Sequence, residues 1–312
     1  MKHKLALGIV ALPLLLAGCG GGSSDSSSTG TLNLNLTDAP IDEAQAVWVE
    51  FTGVSIKKQN DDPEAPEEWI DITFDQPKSI DLLTLQGSQN IQLLTDQALE
   101  AGTYSEIRLH VNAVQDGIED SYITLDDGNH ELDIPSGSQT GLKVKGEIVV
   151  AADQAVGFTV DFDVRKSIVV QGNGDYKLKP VLHLTQDSLT GHIAGTVESQ
   201  LLTSLANNWT CSDEDPNTYN AVYIYSGAGV TPVDISGGVT DPISTALVNY
   251  NADTTAYEFE AGYLTTGDYT VSFTCHADAE NTETGGEDLH FIGSQNVTVT
   301  AGATATVNIV AP

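Results

Sequence analysis

The chain is short of positive charge: 12 Lys and Arg stand against 44 Asp and Glu in 312 residues, a formal net charge of −32. Binding to a phosphate backbone needs a basic footprint, so nucleic acid is excluded as a partner. The same sign argues against direct attraction to anionic lipid headgroups. Cysteine is scarce, with three, and none forms C-x-x-C or C-x-x-C-H, which removes zinc ribbons, thioredoxin-like redox chemistry and haem attachment. The histidines are scattered, and H-E-x-x-H, G-x-S-x-G, the P-loop and G-x-G-x-x-G are all missing, so the common signatures of metalloproteases, serine hydrolases and nucleotide binding are absent. The Gly172-Asn173-Gly174-Asp175 run reads as a turn. No resident cofactor is implied. Long apolar runs are confined to residues 5–17, too short to cross a bilayer as a helix.

That run follows a basic Met-Lys-His-Lys start and ends at Leu16-Ala17-Gly18-Cys19. Charged start, apolar core and small residues make a signal peptide. The thiol directly after the small residues resembles the lipobox of bacterial lipoproteins. The resemblance implies lipid on Cys19, cleavage before it and membrane attachment. Gly20, standing where sorting to the inner membrane favours Asp, implies the outer membrane. Residues 19–30, Gly- and Ser-rich after Cys19, read as a flexible tether.

Without residues 1–18 and their two lysines, ten basic residues face 44 acidic ones. Acidity of this degree serves solubility, or it binds divalent cations, and irregular calcium sites are permitted by the acidic loops without being specified. Asp61-Asp62, Asp126-Asp127-Gly128-Asn129 and Asp213-Glu214-Asp215 are candidate loops, and none has calcium-loop spacing. Cys211 and Cys275 form an even pair in an oxidising compartment, so they are expected to bond.

Period-two alternation dominates: Leu32, Leu34 and Leu36; Val47, Val49 and Phe51; Ile107, Leu109 and Val111; Val297, Val299, Val307 and Ile309. Such runs between Gly, Asn and Pro turns read as half-buried strands. Residues 82–99 could hold one or two helical turns. The expected fold is therefore mainly β: two antiparallel sandwiches in tandem, residues 31–187 and 191–312. Ala101-Gly102-Thr103-Tyr104 and Thr266-Gly267-Asp268-Tyr269 each turn a Tyr into a new strand. Both tyrosines are expected to hook back onto nearby backbone, as in a tyrosine corner.

Candidate chemistry is sparse. Asp38, before Ala39-Pro40, fits a local backbone cap or a metal ligand. Asp161 and Asp163 share one strand face and could make a carboxylate pair, for a cation or for acid–base work. Alternatively they form a charge ladder with Lys143, Lys145, Arg165 and Lys166. Trp209, Tyr223 and Tyr225 could stack on sugar rings or fill the core behind the disulfide.

An ordered set of short motifs runs through residues 30–187: Leu36-Thr37-Asp38-Ala39-Pro40, Trp69-Ile70, Ile80-Asp81-Leu82-Leu83, Ile107-Arg108-Leu109, Gly141-Leu142-Lys143, Asp161-Phe162-Asp163 and Leu178-Lys179-Pro180. The set resembles the DUF4382 family of secreted proteins and lipoproteins, a likeness that implies no reaction. Gly191-x-Ile193-x-Gly195-x-Val197 resembles the first strand of transthyretin-like and carboxypeptidase-regulatory-like sandwiches, a superfamily that includes carbohydrate-binding modules. The expected role is a non-catalytic, envelope-anchored binding or structural lipoprotein whose partner is a polysaccharide or an envelope protein. A carbohydrate-binding module in residues 191–312 and a secreted hydrolase using Asp161 and Asp163 remain as alternatives.

Overall fold

The computed structural model describes residues 28–39, 44–60, 62, 64–134, 140–172, 174–203, 210–211 and 219–311. Cys19, Trp209, Asp61 and the Asp213–Asp215 cluster lie outside them.

The N-terminal sheets are built from β1 (Thr29–Ala39), β2 (Ala46–Lys58), β3 (Trp69–Asp81), β4 (Ile91–Glu100), β5 (Gly102–Asn112), β6 (Tyr122–Leu125), β7 (Gly128–Asp133), β8 (Leu142–Val150) and β9 (Ala155–Asp163). A four-residue helix, α1 (Val164–Ser167), follows, then β10 (Ile168–Val170), β11 (Tyr176–Leu178) and β12 (Leu182–Gln186). One sheet is four-stranded, in the order β12-β9-β1-β4. The other is eight-stranded: β10, β11, β7, β6, β2, β5 and β8 in order, with β3 also paired to β2.

The alternation explains how the two sheets meet. Leu32, Leu34 and Leu36 of β1 and Phe158, Val160 and Phe162 of β9 point to one core, with Val47, Val49 and Phe51 of β2 opposite. A register shift in β2 between Phe51 and Gly53 then moves the inward set to Val54 and Ile56. One extra residue reverses which parity faces inward, so Ser55 and Lys57 turn to the outer face. The 82–99 segment, expected to be partly helical, gives one 3-10 turn at Leu82–Leu85 and then strand β4.

The C-terminal sheets comprise β13 (Thr190–Val197), β14 (Ala221–Ser226), β15 (Ser244–Leu247), β16 (Asn249–Asn251), β17 (Ala256–Thr265), β18 (Gly267–Thr274), β19 (Ile292–Val299) and β20 (Thr304–Ile309). They form two four-stranded sheets, β16-β17-β13-β20 and β15-β14-β18-β19. Ile193, Val222, Ile224, Phe259, Val271, Phe273 and Val307 fill the space between them. At Gly195 any Cβ would sit 1.6 Å from the Val307 carbonyl oxygen. Only glycine permits that approach of β13 to β20, which gives the second glycine of the G-x-I-x-G-x-V run its physical cause.

The molecule is mainly β, in paired sheets, as its periodicity implied. Strand direction is more varied: β1 with β9, β7 with β11 and β13 with β20 pair in parallel. Both expected tyrosine hooks form. The Tyr104 hydroxyl donates to the Glu100 carbonyl at 2.8 Å, and that of Tyr269 to the Thr265 carbonyl at 2.5 Å. Cys211 and Cys275 are joined, with Cα atoms 5.6 Å apart and both residues buried in the C-terminal core.

Candidate functional site

Strand β9 carries the predicted carboxylate pair to the edge of the C-terminal sheets. Alternation buries Phe158, Val160 and Phe162 and turns Asp161 and Asp163 to the opposite face. Asp161 stands in register between Thr37 of β1 and His183 of β12. Burial, and after it the nearby Asp163 carboxylate, push its pKa up to about 7 against the opposing pull of Lys166. Asp163 caps α1: its Oδ1 accepts from the Lys166 N–H at 3.1 Å, while its Oδ2 pairs with Lys166 Nζ at 2.9 Å. Asp38 supports the same turn from β1, accepting from the Val164 N–H at 3.2 Å. Lys166 Nζ then reaches across to the Pro242 carbonyl at 2.9 Å. The three predicted aspartates thus gather around one turn, and that turn docks the N-terminal sheets on the C-terminal ones.

Of the four basic residues expected to form a ladder with this pair, the two on β8 lie elsewhere. Lys143 and Lys145 of β8 lie opposite Arg108 and Glu106 of β5. The Arg165 guanidinium carbon lies 5.8 Å from the Tyr223 ring centre. Of the four basic residues, Lys166 makes the ion pair with Asp163.

The glycan-stacking role proposed for Tyr223 and Tyr225 is also corrected, because both rings are enclosed, at 0% and 1% exposure. Strand β14 is covered on both faces. Val222 and Ile224 enter the core between the sheets, while Tyr223 and Tyr225 pack under Ile235, Leu289 and Phe291. Their hydroxyls are engaged too, Tyr223 with Glu280 at 3.1 Å and Tyr225 with the Val233 carbonyl at 2.6 Å. Trp209, the third member of that set, lies outside the described residues.

Two clusters escaped the sequence reading because their members are far apart in the chain. Ser55, on β2, lies 2.6 Å from Asp71 Oδ1 and 2.5 Å from His110 Nε2. This combination invites comparison with a hydrolytic triad, but the order differs. A carboxylate only accepts, so the single Ser55 proton goes to Asp71. His110 Nε2 must then donate to the Ser55 oxygen, and an imidazole protonated there cannot take the serine proton. The arrangement ties three strands together without making a nucleophile.

The second cluster is Asp234, Glu280 and Glu287, each with a carboxylate oxygen within 4.8 Å of the others. Asp234 accepts the N–H groups of Gly286 and Glu287, and Glu280 accepts that of Ile235. Burial pushes the Glu280 pKa up to about 7, opposed by the Ile235 N–H, the Tyr223 hydroxyl and Arg165 and reinforced by Asp234. Among the described residues these three have the oxygen donors a hard divalent cation would take. The other grouping, Cys211 and Cys275 with His276, cannot offer thiolates, because both sulfurs are in the disulfide.

Residues 29–180 match the model of the family described as Domain of unknown function (DUF4382). The N-terminal half of this chain is a DUF4382 domain. No curated protein matches the chain in sequence. Solved structures similar to it include the Bacillus anthracis TIE protein, at 10% identity and a TM-score of 0.19 over 91% of this chain and 33% of that one. This chain therefore spans about a third of the length of that protein. The shaft pilin SpaA of Lactobacillus rhamnosus GG matches at 10% identity and 0.19, over 91% of this chain and 98% of the pilin. The fimbrial anchor protein Mfa2 of Porphyromonas gingivalis matches at 8% and 0.19, over 85% and 82%. TM-scores of this size do not establish a shared fold.

The residues that carry the DUF4382 resemblance are largely hooks of its fold. Arg108 stacks 3.7 Å above the Trp69 ring. Asp81 accepts from the Leu83 and Val47 N–H groups and so ties the 3-10 turn to the start of β2. Thr37 bonds the carbonyls of Leu85 and Gln89. Between the DUF4382 domain and the C-terminal sheets opens a cleft of about 310 Å³, with Ile123, Ile168 and Val170 on one side, Asp278 and Glu283 on the other, and Arg165 and Glu280 also lining it.

Proposed function

We propose that the chain is a non-catalytic lipoprotein of the bacterial envelope, anchored through Cys19 and serving as a binding or structural module. Its two units, divided near residues 187–191, are held as a docked pair. The observation that supports this reading is the Asp163–Lys166–Pro242 bridge. Asp163, one of the two carboxylates with the best claim to chemistry, caps a turn and pairs with the Lys166 that joins the two units. A second bridge lies alongside: Ser88 donates to Glu260 at 3.2 Å, and the Tyr263 hydroxyl donates to the Ser88 carbonyl while accepting from Asn90. Gly262 lies so close to the Gly87 carbonyl that any Cβ would meet it at 2.0 Å. Two such contacts hold the units in one relative orientation more firmly than a flexible linker would.

Attachment is through the lipid expected on Cys19; no helix among the described residues is long and apolar enough to cross a membrane. Replacing Asp161 and Asp163 together by Asn tests the non-catalytic reading against the hydrolase. The expected outcome is a changed melting profile and no lost activity on esters, glycosides or peptides. Turnover in the wild type that vanishes in the variant at unchanged melting temperature would overturn it.

A further inference from the structure

The cleft between the units has two walls of opposite character, and each comes from a different unit. The DUF4382 wall is apolar: Ile123, Leu125, Ile168 and Val170. Strand β10 forms its lip. This strand ends its sheet and pairs with β11 alone among the described residues, and Val170 is 57% exposed. The facing wall is acidic, with Asp278, Glu280 and Glu283. Arg165 is the one Lys or Arg among the lining residues; its guanidinium carbon lies 5.8 Å from the Tyr223 ring centre and its charge acts on Glu280. Three carboxyl groups against one guanidinium leave an excess of negative charge beside an apolar strip.

A lysine or arginine side chain has the matching pattern, an aliphatic stem with a cationic head. An exposed strand end also offers main-chain hydrogen bonds to an extended peptide. A second copy of this chain is a poor occupant, since at −32 each the copies repel. We infer that the cleft receives a lysine or arginine side chain from an extended segment of a partner protein. The cation lies among Asp278, Glu280 and Glu283, and the stem lies on Ile168 and Val170. The inference rests on the binding role proposed above and specifies the chemistry of the partner.

The test is calorimetric titration of the purified chain, residues 28–312, with three capped tripeptides: valyl-lysyl-valine, its norleucine analogue and its glutamate analogue. The lysine peptide is expected to bind at least about tenfold more tightly than the norleucine one, a difference of about 1.4 kcal/mol, and the glutamate peptide not at all. Glu283→Gln and Asp278→Asn should each weaken lysine-peptide binding by about threefold, as partly exposed charges do. Val170→Arg, at an exposed position, should fill the cleft with its own cation and abolish binding at unchanged melting temperature. Equal binding of the lysine and norleucine peptides, or full binding by Val170→Arg, would overturn the inference. An envelope protein captured equally by the wild type and by Val170→Arg would leave the binding role standing and remove the cleft from it.

Discussion

Replacing Cys211 and Cys275 together by alanine should destabilise the C-terminal sheets and leave the DUF4382 core nearly untouched. The bond spans 64 residues. In the chain-entropy account, closing a loop of that length removes enough freedom from the unfolded chain to stabilise the fold by about 4 kcal/mol. The loop it closes includes β14, β15, β17 and β18, all of which belong to the C-terminal sheets. For a unit of this size the loss corresponds to a fall of about 10–20 °C in melting temperature. Calorimetry gives the size of the effect, and hydrogen exchange gives its place. Amides of β13, β14, β17 and β18 should lose protection, whereas those of β1, β2, β5 and β9 should keep theirs apart from the docking turn at 163–167. A loss below about 1 kcal/mol, or equal loss of protection in both sets of strands, would refute the entropic and local account.

Three further outcomes follow from particular contacts. Asp161 and Glu280 both have pKa values raised to about 7, mainly by burial. Their protonated forms are therefore favoured in the folded state. The stability they contribute is fully present below the ordinary values of 3.8 and 4.5 and is lost as the pH rises through 7. Asp161→Asn should accordingly raise stability at pH 8, by about 2 kcal/mol after allowance for partial solvent access, and change little at pH 4; melting curves across that range provide the check, and equal effects at both ends would contradict the assignment. Gly195→Ala should cost about 3 kcal/mol or more, because its methyl group meets the Val307 carbonyl and forces β13 from β20. Denaturant unfolding measures it, and a near-neutral result would show that the strands can separate freely. Tyr104→Phe and Tyr269→Phe should each lose about 1 kcal/mol, the value of one hydrogen bond to backbone; unchanged denaturation midpoints would show the hooks to be idle.

The legible part of the fold was the part written locally. Leu32, Leu34 and Leu36 declare their strand because every second side chain enters one core. Tyr104 and Tyr269 were readable because a Gly turn and a strand start lie next to each other in the chain. Period two carries no strand direction, so the parallel pairing of β1 with β9 left no trace in the alternation. The shift near Gly53 was equally hidden, since either parity of β2 offers apolar residues. For Tyr223 and Tyr225 sugar stacking and core filling both stayed open, because a sheet covered on both faces reads like one with an exposed aromatic face. Asp38, Asp161 and Asp163 were visible as candidates, but the meeting of Asp38 and Asp163 at one turn was not, and the Pro242 carbonyl that Lys166 reaches lies 76 residues away in the chain. Asp234, Glu280 and Glu287 had no shared spacing at all.

The lipid anchor proposed on Cys19 is tested by fractionating cells that produce the full chain or Cys19→Ser. The account predicts that the wild type partitions with membranes and into detergent, and that Cys19→Ser is released in soluble form with the same melting temperature. Retention of Cys19→Ser with the membranes, or a wild-type chain that is soluble from the start, would contradict it.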